Sequence, residues 1–148
     1  MKNLAAAALL LAATLAAPAC GGAARPASLD TAHETCRSCR MPVSDPKLAA
    51  QIAAPGEEAM FFDDIGCLQS FIAGGKAPAR GAVAFVADHR TGAWIPASTA
   101  VYERCPSLET PMGSHLVAHA DAASRAADPV PAGCAAVPAT EILGGTKP

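Results

Sequence analysis

Cys36-Arg-Ser-Cys39-Arg-Met41 gathers two thiols and a thioether within six residues. A C-x-x-C spacing sets both sulfurs on one tight turn, near enough to share a metal ion or to close a disulfide. The thioether that follows prefers soft ions such as Cu(I). A third thiol ends the run Phe61-Phe-Asp-Asp-Ile-Gly-Cys67 and falls in the first turn of an expected helix. Amide donors and the positive end of the helix dipole favour thiolate at such a position. The plainer alternatives are a local disulfide for Cys36 and Cys39, and an inert core thiol for Cys67. A thiol knuckle with a helix-start cysteine is also the geometry of a treble-clef zinc site. Asp63 or Asp64 stands where the fourth ligand of that pattern often lies.

A second sulfur-bearing stretch lies far along the chain, at Thr110-Pro-Met112-Gly113-Ser-His115. A core methionine normally fills a gap at helical or strand spacing. Met112, held between Pro111 and Gly113, fits neither setting, which favours a ligand role, and Gly113 permits a positive φ or close backbone approach. His115 and His119 are four residues apart on an expected strand and so should face one side. One of them is placed to complete a metal site, whereas a solvated surface histidine is the plainer alternative.

These groups must be positioned by short elements. Lys47 to Ile52 and Ala59 to Phe62 read as strands around a turn at Pro55-Gly56. Asp63-Asp64 offers an N-cap for a helix from Ile65 to Ala73, whose Leu68, Phe71 and Ile72 share a face, and Gly74-Gly75 ends it. Ala82 to Ala87 is a continuous apolar strand, and Ala93 to Ile95 and Ala100 to Glu103 are extended pieces. The prolines of 106–111 impose a loop. Leu116 to His119 is a strand, Asp121 caps a short helix through Ala127, Cys134 to Val137 adds an edge strand, and Thr140 to Leu143 makes a last turn. The expected fold class is α+β, with two small ββα-type halves, about 33–78 and 79–148, in one compact domain.

The N-terminus places this domain in a compartment. Met1-Lys2-Asn3 carries one positive charge, an uncharged Leu- and Ala-rich run follows, and small residues precede Cys20. That is a secretory signal over residues 1–19, too short to span a bilayer, which needs about 20 apolar residues. Leu15 to Cys20 is a degenerate lipobox, and residues 20–32 read as a tether from a lipidated Cys20. The expected location is the periplasm, anchored by lipid to the inner or the outer membrane. Ten basic and 13 acidic side chains remain once Lys2 is removed, a charge of −3 with no basic block. Nucleic acid is therefore excluded as a natural partner. Five cysteines besides Cys20 cannot all pair with one another, so at least one is free, metal-bound or joined to another molecule.

Cys39-Arg-Met41-Pro-Val43 resembles the C-G-M element of the NosL family, with Arg40 where glycine is typical. The resemblance continues, in order, through Ala50-Gln-Ile52, Phe61-Phe-Asp63, Trp94-Ile-Pro-Ala97, Thr110-Pro-Met-Gly113 and Glu141-Ile-Leu143. It implies a lipoprotein with two ββα-type halves that acts as a copper chaperone and delivers Cu(I) toward nitrous oxide reductase or its assembly machinery. By resemblance the copper ligands fall on Cys39 and Met112, with Met41 as a helper. The residues leave two further readings open. One is a zinc module built on Cys36, Cys39, Cys67 and an Asp or His, binding a protein partner. The other is a thiol oxidoreductase using Cys36 and Cys39, although such enzymes set C-x-x-C at a helix start within a βαβ pattern. No nucleophile elbow, phosphate-cradling glycine loop or H-E-x-x-H is present, so the expectation is a protein without catalytic activity.

Overall fold

Strand β1 (Ala50–Ala53) is buried along its whole length, its one polar side chain, Gln51, being satisfied by the Ala27 backbone. It pairs antiparallel with β2 (Met60–Phe62), Gln51 lying opposite Phe61. Helix α1 (Ile65–Ala73) starts where Asp64 takes an extended conformation and accepts a hydrogen bond from the Gly66 amide at 2.6 Å. This satisfies one of the orphan amides of the first turn. The helix stops at Gly74, and the chain then returns as β3 (Val83–Ala87) on the other side of β1 and continues into β4 (Trp94–Pro96). The first sheet has the order β2-β1-β3-β4. These assignments come from a computed structural model that describes residues 22–75, 78–129 and 133–144. The leader and Cys20 lie outside the described residues.

The second sheet repeats the plan. Strands β5 (Val101–Arg104) and β6 (Leu116–His119) pair antiparallel, α2 (Ala122–Ala127) follows behind its Asp121 cap, and β7 (Ala135–Val137) returns to the free side of β5. The order β6-β5-β7 matches β2-β1-β3, with all neighbours antiparallel. A last helix, α3 (Ala139–Leu143), closes the described chain.

The α+β class is as expected, and the repeat is present with a different boundary. Each unit is ββαβ, because the strand after each helix hydrogen-bonds to the first strand of its own sheet. The sheets therefore divide between Pro96 and Val101. Strands β3 and β4, expected in the second half, belong to the first sheet. A local apolar pattern marks β3 as a strand but carries no record of which edge it joins.

One core unites both sheets. Ile52, Phe62, Leu68 and Val86 from the first unit pack with Tyr102, Leu116, Ala118 and Ile142 from the second. The Tyr102 hydroxyl donates to the Ala97 carbonyl at 2.8 Å, tying the second sheet to the segment that leaves β4. The domain also begins earlier than the sequence indicates. The Ala27 amide donates to Gln51 Oε1 at 2.8 Å, and Gln51 Nε2 donates back to the Ala27 carbonyl at 3.1 Å. Ala27 and Leu29 pack on Val43, Ala49 and Phe61. A Pro-, Ala- and Ser-containing stretch gives no periodic signal, so the expected tether through residue 32 includes residues that are docked on the domain.

Candidate metal centre

The thiol knuckle is a short hairpin. Thr35 bridges Pro42, the Cys36 amide donates to the Met41 carbonyl at 2.8 Å, and the Cys36 carbonyl accepts from Arg40 at 3.0 Å. The Arg37 amide fastens the tip to the Phe61 carbonyl of β2 at 2.8 Å. Closing so tight a loop forces Arg40 to φ 67°, the left-handed region that glycine occupies at least cost. Cys67, the third residue of α1, comes to the knuckle because β2 leads directly into the helix. The sulfurs of Cys36, Cys39 and Cys67 all lie within 4.8 Å of one another. Cys36 and Cys67 are buried and Cys39 is partly exposed.

The Met112 loop is delivered to the same place by one carboxylate. Asp64 Oδ1 caps α1, and Asp64 Oδ2 accepts from the Met112 amide at 3.0 Å. Gly66 makes this approach possible, since a Cβ there would stand 2.7 Å from Ser114 Cβ. Gly113 turns the loop with φ 67°, as expected. The result is a cavity of about 350 Å³ lined by Cys39, Cys67 and Met112, with Ser38, Arg104 and Ser114 among its other walls. Arg104 is fixed there by the Ser114 carbonyl at 2.8 Å and the Glu141 carboxylate at 3.0 Å. Met112, one wall of this cavity, is itself 50% exposed.

Burial works against ionising Cys36, but the amides of Asp63, Cys39 and Ser38 and the Cys39 thiol outweigh it and draw its pKa below the ordinary thiol value. Cys67 moves the other way. Burial, followed by the neighbouring Cys36 and Cys39 sulfurs, pushes its pKa far up. The sequence expectation of an activated Cys67 at a helix start is thus reversed, because burial, and after it the two adjacent sulfurs, outweigh the helix dipole. Cys36 is thus biased toward thiolate and Cys67 toward the neutral thiol.

Other expected ligands are placed differently. Met41 is 56% exposed on the knuckle and does not line the cavity. His115 is at φ 58°, one residue before β6, and its Nδ1 lies 2.7 Å from the Leu108 carbonyl. It therefore shares no strand face with His119, which sits at the far end of β6. Asp63 accepts from the Ser44 amide at 2.7 Å and hydroxyl at 3.0 Å. With Asp64 committed to its two amides, neither acid joins the thiol cluster as the fourth ligand of a treble clef. Cys105 and Cys134 form a disulfide, leaving Cys36, Cys39 and Cys67 as the free thiols among the described residues. Sequence reasoning missed Arg104 and the anchoring role of Asp64. The N-cap pattern singles out Asp64, but nothing local connects it to a loop 48 residues away.

Fold and site together define a small two-sheet α+β protein with a thiol cluster of metal-ligand geometry beside a methionine. The NosL family model matches residues 26–128, and the chain belongs to that family. Membership suggests copper as the ion. No curated protein and no solved structure matches the chain.

Proposed function

We propose that this protein carries Cu(I) as cargo, on Cys39 and Met112 with the thiols of Cys36 and Cys67 beneath them, and that it is a carrier and not an enzyme. The observation that carries the reading is the shared cavity of Cys39, Cys67 and Met112. Soft sulfur donors select Cu(I) over harder ions. A donor set that is open on one side lets an incoming sulfur ligand bind before the outgoing one leaves. The half-exposed Met112, which lines the cavity, stands where such a ligand would approach. The signal sequence and Cys20 support export to the periplasm and a lipid anchor, and the NosL resemblance supports nitrous oxide reductase or its assembly machinery as the acceptor.

The test is a competitive Cu(I) titration of the reduced mature domain. Cys39→Ser and Met112→Ala should each weaken binding by about tenfold or more, the equivalent of about 1.4 kcal/mol. Unchanged affinity in both variants would remove the reading. A three-thiol cluster also fits zinc, which usually takes four ligands in a structural site. One tightly held zinc per chain after purification, required for folding, would favour that second function.

A further inference from the structure

A second group of ligand atoms lies away from the sulfurs, at the opposite end of β6. We propose that His89, His119 and Asp128 form a separate metal site for a divalent cation of borderline hardness, of which Zn(II) is the probe to use.

Three different elements bring these residues together: the turn between β3 and β4, the last residue of β6 and the C-cap of α2. His89 Nδ1 lies 2.6 Å and His119 Nε2 2.9 Å from the same oxygen, Asp128 Oδ2. The His119 side chain is fully buried, that of Asp128 is 4% exposed and that of His89 is 20% exposed, so the group is enclosed with one edge open. Two imidazoles and a carboxylate form a donor set suited to borderline divalent ions, and three protein ligands leave a coordination position free.

The surroundings are organised to hold this geometry. Asp88 Oδ2 accepts from the Ala120 amide and the Ser124 hydroxyl, and Asp88 Oδ1 accepts from the Thr91 amide and hydroxyl. One buried carboxylate thus locks the His89 turn, the exit of β6 and helix α2 against each other. Arg90 Nε is occupied by Ser124 Oγ. His119 Nδ1 is buried without a partner. When Nε2 gives its lone pair to an ion, the ring proton moves to Nδ1 without breaking an existing hydrogen bond there. A divalent ion would also offset the charge of the buried Asp128 carboxylate, on which both rings converge.

The experiment follows the histidine ring nitrogens by NMR while Zn(II) is added to the folded domain. The expected result is that His89 and His119 move together, saturating at one ion per pair, while His33 stays in place. Asp128→Asn and, at the exposed edge, His89→Gln should each weaken this Zn(II) event by at least about tenfold. Rings that do not respond to Zn(II), or a response unchanged in both folded variants, would overturn the proposal. Binding confined to the cysteines would overturn it too. Because the readout is on imidazole nitrogen, it is separate from the Cu(I) titration of the sulfurs, and either result can fail alone.

Discussion

The Asp64 carboxylate holds the Met112 backbone amide at 3.0 Å while its other oxygen caps helix α1. One buried side chain therefore sets both the helix that carries Cys67 and the loop that carries Met112. Replacing Asp64 with Ala should cost about 1 kcal/mol for the cap and a further 1–3 kcal/mol, roughly, for the unmade buried bond. Urea denaturation measures that loss. Cu(I) affinity should fall in the same variant, and in an Asp64→Ala/Met112→Ala double variant the two affinity losses should not add. Additive losses would mean that Asp64 does not act through the loop.

Gly66 tests the same geometry without touching a polar group. An alanine there meets Ser114 Cβ at 2.7 Å and Asp64 Oδ1 at 3.1 Å, so the 110–114 loop must shift. Alanine is otherwise the better helix former by about 1 kcal/mol. Gly66→Ala should thus weaken Cu(I) binding without an equal loss of stability. Retention of full affinity in a folded Gly66→Ala protein would count against the loop position described here.

Much of the fold is legible locally, and much of the site is not. Leu116 to His119 forms a strand as its apolar run indicates, and Asp64 and Asp121 cap the helices they precede. These features depend on a few neighbouring residues. The placement of β3 and β4 in the first sheet, and the docking of Ala27 on Gln51, depend on contacts between distant parts of the chain. His115 illustrates the difference. Its spacing from His119 implies a shared face only if the strand already runs through it, but its backbone is at φ 58° and the strand starts at Leu116. Cys67 is correctly read as helix-start, yet burial and two adjacent sulfurs override the helix dipole.

Arg40 occupies a left-handed position at φ 67°, where an L side chain costs roughly 1–2 kcal/mol relative to glycine. Glycine also gains freedom in the unfolded chain, which offsets part of that cost. Arg40→Gly should therefore stabilise the domain by about 0.5–1 kcal/mol, seen as a higher denaturant midpoint at unchanged slope. A destabilised variant would show that the Arg40 side chain contributes more than its backbone conformation costs.

Acid sensitivity should centre on Asp88 and Asp128. Burial disfavours the Asp88 carboxylate, but the Ser124 hydroxyl and the Ala120 and Thr91 donors outweigh it and hold its pKa well below the usual range. Asp128 is lowered in the same sense: burial opposes ionisation, and His89 and His119 more than compensate. A carboxylate whose folded pKa lies below its unfolded value contributes fully above the unfolded value, about pH 4. That contribution is lost as pH falls toward the folded value. Stability should thus be nearly flat with respect to these groups above about pH 5 and drop below about pH 4. Asp88→Asn should start less stable at neutral pH and show a shallower acid limb in urea titrations across that window. An acid limb as steep as the parent's would assign the sensitivity to other groups.

Cys105 and Cys134 are paired across 29 residues, joining the end of β5 to the residue before β7. The remaining cysteines of the domain split off as the free cluster of Cys36, Cys39 and Cys67. Alkylation of the unreduced, denatured domain carrying Cys20→Ser should label those thiols and leave Cys105 and Cys134 unlabelled until a reductant is added. Closing a loop of this length restricts the unfolded chain by about 3–4 kcal/mol, so the Cys105→Ser/Cys134→Ser variant should lose roughly that much stability. Its Cu(I) affinity should persist under conditions where it stays folded, because neither sulfur lines the cavity of Cys39 and Met112. Copper affinity lost with the disulfide in a folded protein would tie β7 to the cargo site, which the separation of the two sulfur groups argues against.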